Sequence, residues 1–97
     1  MMRGAYSEVK LATPEVQAIA DQVKPQLEKK ENTTYKVFEA LQYRTQVVHG
    51  LNYLIKVCIS ETEDQCVHLI VYVALPQEPS LTAYQLDKTK TDPLDPF

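Results

Sequence analysis

At Tyr35 the spacing of apolar residues changes from a helical period to a period of two, and it never changes back. Ahead of that point Val16, Ile19, Ala20, Val23 and Leu27 form one stripe at helical spacing. Thr13-Pro14-Glu15 precedes the stripe and supplies a hydroxyl N-cap, a first-turn proline and an acid at the positive dipole end. Pro25 cannot donate to the carbonyl of Asp21 and crowds that turn, which predicts a kink rather than a second helix. Lys29, Lys30 and the turn-prone Asn32-Thr33 close the element. Residues 1–12 show no period and read as an extended, mobile lead.

Beyond the switch, Tyr35, Val37, Leu41, Tyr43, Thr45 and Val47 are expected on one side, with Lys36, Gln42, Arg44 and Gln46 on the other. Asn52 to Ile59 alternates in the same way, placing Tyr53, Ile55, Val57 and Ile59 together. An acidic turn, Ser60 to Gln65, leads to Cys66 to Leu75, whose Val67, Leu69, Val71, Val73 and Leu75 share a side. A proline-bounded loop, Pro76 to Pro79, and a run from Leu81 to Leu86 follow, and residues 91–97 read as an irregular tail. One helix and then four hairpin-connected strands is an α+β pattern, with antiparallel pairing and the helix on the apolar face. The 97 residues make a single domain.

Charge and length exclude several functions. Ten Lys+Arg against 13 Asp+Glu give a net charge of −3, and the one adjacent basic pair, Lys29-Lys30, is flanked by Glu28 and Glu31. Nucleic acid, whose binding needs clustered cations, is not an expected partner. Neither is a membrane: the longest apolar stretch, Leu69 to Leu75, is far short of a span. The first residues lack the apolar centre of a secretory signal, so a cytoplasmic location is expected, with Cys58 and Cys66 as reduced thiols rather than a bridge. A disulfide is geometrically conceivable, because both lie near one hairpin turn.

Cys58, Cys66 and His68 supply at most three ligands from one region, without the tight spacing of a zinc site, so neither metal nor other cofactor is expected. A Cys–His nucleophile would also need oxyanion donors, typically at a glycine-rich turn or a helix start. Only two glycines occur, Gly4 and Gly50, against the six or seven that an average usage of about 7% would give. No enzyme is expected.

What stands out instead is Gln46-Val47-Val48-His49-Gly50 at the first reversal, where β-branched valines replace the usual Asn, Asp and Gly. The alternative is a turn slightly later, at 49–52, with the valines as plain strand residues. Leu75-Pro76 repeats the apolar pattern at the next reversal on the same end of the sheet.

These segments resemble the stefins, the single-domain, disulfide-free branch of the cystatins. The match runs from Met1-Met2-Arg3-Gly4-Ala5 through Ala20-Asp21-Gln22-Val23-Lys24-Pro25-Gln26-Leu27-Glu28. It continues with Gln46-Val47-Val48-His49-Gly50, Asn52-Tyr53, Ile55-Lys56-Val57, Val67-His68-Leu69, Leu75-Pro76, Tyr84-Gln85, Asp87-Lys88-Thr89-Lys90 and Phe97. The resemblance implies one long kinked helix packed on a curled antiparallel sheet of four to five strands. It also implies a reversible, non-covalent inhibitor of papain-like cysteine proteases such as cathepsins. Its three-part wedge would comprise the lead with Met2 and Gly4, the hairpin Gln46, Val47, Val48, His49 and Gly50, and the loop Leu75-Pro76. His49 stands where the family has alanine. The family implies a monomer that can open its first hairpin into a domain-swapped dimer. A binding module on the same scaffold with a non-protease partner is the competing reading.

Overall fold

The computed structural model describes residues 5–62 and 64–97. It contains β1 (Lys10–Leu11), α1 (Pro14–Glu31), β2 (Glu39–Val48), β3 (Gly50–Cys58), β4 (Cys66–Val73) and β5 (Ser80–Lys88). The strands form one open antiparallel sheet in chain order, with α1 across one face. The α+β architecture expected from the change of period is the one observed.

The helix starts where the Thr13 side chain accepts from the Val16 N–H at 3.3 Å, with Pro14 in the first turn. Asn32, left-handed at φ 52°, ends it, with Lys29 and Lys30 in the last turn. It runs as one element through Pro25, which sits on the exposed face. Val16, Ala20, Val23 and Leu27 are buried against Phe38, Ala40, Ile55, Val57, Val67, Leu69, Val71 and Leu81.

Two glutamines of α1 fasten it to the beginnings of two strands. Gln17 donates to the Phe38 carbonyl at 2.9 Å and accepts from the Ala40 N–H at 2.8 Å. Gln26 does the same for the Pro79 carbonyl (3.1 Å) and the Leu81 N–H (2.9 Å). Each side-chain amide thus pairs one backbone donor and one acceptor that would otherwise lack partners where a strand begins.

Four expectations need correction. The strand after α1 starts at Glu39 rather than Tyr35, and the core residues there are Ala40 and, just ahead of the strand, Phe38. A register shift between Ala40 and Gln42 inserts one extra residue, so Leu41 leaves the helix side and lines a groove with Lys56 and the tail. The fourth strand stops at Val73, leaving Leu75 in the following loop. The described part of the lead is not free: Lys10 and Leu11 pair with Tyr43 and Gln42, and Ser7 bonds to Thr45.

The cysteines also depart from the expectation of free thiols. Cys58 and Cys66 are register partners across β3 and β4 with Cα atoms 4.0 Å apart, and they form a disulfide. Direct opposition in the ladder brings the sulfurs together, which an argument from cellular compartment could not anticipate. In an oxidised sample, replacing both by serine should cost about 2 kcal/mol of unfolding free energy, as expected for closing so short a loop. Unchanged stability together with two titratable thiols in the native protein would contradict the bridge.

The face of the sheet away from α1 is covered by the tail. Leu94 is buried with Leu54 and Ile70, a burial that contributes about 1.5–3 kcal/mol. Beside it Lys56 and His68, register partners, are each only 1% exposed. The Lys56 ammonium donates to the carbonyls of Lys90 (2.7 Å) and Asp92, so its charge is solvated by the tail. His68 Nε2 has no hydrogen-bond partner among the described residues. Burial, then the nearby Lys56 and Lys88, push the His68 pKa down to about 4, against the opposing pull of Asp92 and Asp95.

Folded His68 is therefore neutral where an unfolded chain already binds a proton. Its contribution to stability is full above about pH 6.5 and is lost as pH falls toward 4. Denaturant unfolding of the wild type should weaken through that interval by up to about 1.4 kcal/mol per pH unit from this group alone. His68→Gln should flatten the dependence; an identical slope in both proteins would contradict the assignment.

Candidate functional site

The antiparallel register places two reversals at one end of the sheet. Val47 opposes Leu51, and Leu51 opposes Val73, so the ends of β2 and β4 lie in one row. Val48 pairs with Gly50, leaving His49 alone at the apex of the first hairpin. The valines do not occupy the tip: they are the last residues of β2, strand residues as in the alternative reading, while the turn is at His49 rather than at 49–52. Below the apex the Asn52 side-chain amide donates to the Gln46 amide oxygen at 3.0 Å, a second cross-strand tie.

Gly50 has φ +129°, outside the range that other residues adopt readily. A Cβ there would stand 2.7 Å from the Val73 carbonyl oxygen and 3.0 Å from the Ala74 Cβ. The hairpin therefore leans directly on the start of the second loop, and a side chain would wedge the two apart. The Tyr72 hydroxyl donates to the His49 carbonyl and ties the apex to β4. The loop itself turns at Ala74–Gln77, closed by the Gln77 N–H on the Ala74 carbonyl at 3.0 Å, with a cis Leu75-Pro76 peptide at its middle.

The result is an end surface with apolar projections on a braced frame. Leu75 is 87% exposed and Val47 67%. Single exposed apolar residues are ordinary on protein surfaces; two on adjacent, mutually supported reversals form a shaped apolar edge.

The lead approaches the same end. From Leu11 opposite Gln42 it climbs along β2 to Ser7, whose N–H donates to the Thr45 carbonyl at 2.7 Å and whose hydroxyl accepts from the Thr45 N–H at 3.0 Å. Met2 and Gly4 lie outside the described residues. Gln46, Val47, Val48, His49, Gly50, Leu75 and Pro76 are thus at one end of the sheet.

Sequence reasoning missed the supports. Arg44 reads from the sequence only as an alternating strand residue and Tyr72 is not singled out, yet Tyr72 holds the apex and Arg44 Nε donates to the Ser7 carbonyl at 2.8 Å. The alternation did carry the signal, since both fall on the side away from α1.

Among the described residues no group of three or more His, Cys, Asp or Glu side chains comes together as a metal site would require. No helix among them is long and apolar enough to cross a membrane.

Gly50→Ala should destabilise the protein by about 1–3 kcal/mol, because it adds backbone strain to a clash with the Val73 carbonyl. The amide resonances of residues 46–50 and 73–76 should shift together. A neutral substitution would show that the two reversals are not pressed against each other.

The cystatin domain model matches residues 4–92. Cystatin-A of Homo sapiens is 51% identical over the full length of both chains. Stefin-C of Bos taurus is 50% identical over 97% of this chain and 94% of its own. Leukocyte cysteine proteinase inhibitor 1 of Sus scrofa is 49% identical over all of this chain and 95% of its own.

Proposed function

The chain belongs to the cystatin family, in its stefin branch, and from that premise we propose that it is a reversible, tight-binding inhibitor of papain-like cysteine proteases, cathepsins among them. The observation that carries the proposal is the joining of Val47–Gly50 and Leu75-Pro76 into one braced apolar edge, with the lead directed toward it. The name of the porcine relative, a cysteine proteinase inhibitor, supports the target class.

The edge enters the active-site cleft as a wedge. Val47 and Val48 are stiff at χ1 and held by strand pairing, so little rotamer freedom is lost on docking. Leu75 and Pro76 make the second contact, and the lead, with Met2 in a substrate subsite and Gly4 passing close to the protease backbone, makes the third. No bond forms with the protease sulfur, and no peptide of the inhibitor is presented for cleavage. Association needs no rearrangement of the two reversals. Opening the hairpin into a domain-swapped dimer would straighten the turn at His49 and remove the wedge tip.

Titration of papain should give one-to-one, competitive, reversible inhibition, with the inhibitor recovered uncleaved. Val47→Asp, at an exposed position that leaves the core untouched, should raise the inhibition constant at least ~100-fold, equivalent to about 2.7 kcal/mol. No inhibition by the wild type would favour a binding module with another partner.

A further inference from the structure

One arginine on the face away from the helix joins the two ends of the chain. Arg44 stands on β2 opposite Leu54, and its guanidinium makes two directed bonds in two directions. Nε donates to the carbonyl of Ser7 in the lead at 2.8 Å. Nη1 donates to the carbonyl of Leu94 in the tail, also at 2.8 Å. The ring of Tyr6 lies over the same group, 5.9 Å from its central carbon. Leu94 is itself fixed, 3% exposed in the cluster with Leu54 and Ile70 against which Tyr6 packs. The carbonyl that Arg44 reaches in the tail therefore belongs to a buried residue and not to a loose end.

We infer that Arg44 is a positioning residue for the inhibitory lead, clamping Ser7 to the anchored tail so that the lead leaves β2 toward the wedge edge on one course. The inference rests on the inhibitory reading of the lead given above. Two features suit arginine to the role, the first of which lysine lacks. The planar fork reaches two carbonyls from one group, which the point charge of a lysine cannot do with the same geometry. Charged donors also hold neutral carbonyls more firmly than an amide would. A lead held in this way loses less freedom when a partner engages it, so the clamp lowers the cost of binding without touching the partner. The tail thereby has a function of its own: residues 92–97 contain no regular element, yet Leu94 supplies the fixed end of the clamp.

The test has two readouts, the second independent of any protease. For Arg44→Gln in the full chain, the papain inhibition constant should rise about tenfold, mainly through faster dissociation. In a chain lacking Met1–Gly4, the same substitution should change it less than about twofold, because the lead it positions is gone. Arg44→Lys should recover part of the loss. Separately, the Ser7 amide should exchange with solvent at least about tenfold faster in Arg44→Gln and in a chain ending at Pro93, while the Ile55 amide keeps its protection. An equal loss of inhibition in both backgrounds, or an unchanged Ser7 exchange rate, would overturn the assignment. A wild-type chain that does not inhibit papain would instead refute the inhibitory reading, and Ser7 exchange would still decide whether the clamp exists.

Discussion

The structure depends on the register of β3 between β2 and β4. Because Leu51 opposes both Val47 and Val73, the first hairpin and the second loop are forced to the same height at the same end. A shift of one residue in either ladder would turn every side chain of a strand to the wrong face. Ile55 and Val57 would leave the helix side, and Lys56 would enter it. The burial of the core thus holds in place an exposed edge some distance away, and Gly50 allows the two reversals to close on each other.

The two faces of the sheet do different work. Toward α1 the contacts are apolar, with Gln17 and Gln26 completing the hydrogen bonding where β2 and β5 begin. On the other face an irregular tail covers Lys56 and His68, lending its carbonyls to the lysine. That arrangement makes the buried lysine tolerable and leaves the histidine best suited to its neutral form. It also brings the tail beside the lead, where one arginine can join them.

Much of this was legible from the order of residues. The change of period at Tyr35 separates helix from sheet, and the matching apolar reversals at Val47-Val48 and Leu75-Pro76 point to one end of it. Other features were not legible, for physical reasons. The extra residue at Leu41 leaves no mark in a simple alternation, so the side of the first residues of β2 was misjudged. Gln17 and Gln26 look like ordinary solvent-facing residues, because their partners are backbone groups far away in sequence. The cysteine pair depended on cross-strand opposition, which no argument from compartment could give. The continuation of one helix through Pro25, by contrast, was the sequence expectation, and the proline sits on its exposed side.

The central claim is that the two reversals act as one rigid body toward a protease. A crystal structure of the chain bound to papain tests it most directly. It should show Val47–Gly50 and Leu75-Pro76 together in the cleft, with the Tyr72–His49 tie retained and no covalent bond to the catalytic sulfur. A complex in which only one reversal enters the cleft, or in which the protein binds through the helix or the tail-covered face, would contradict the account.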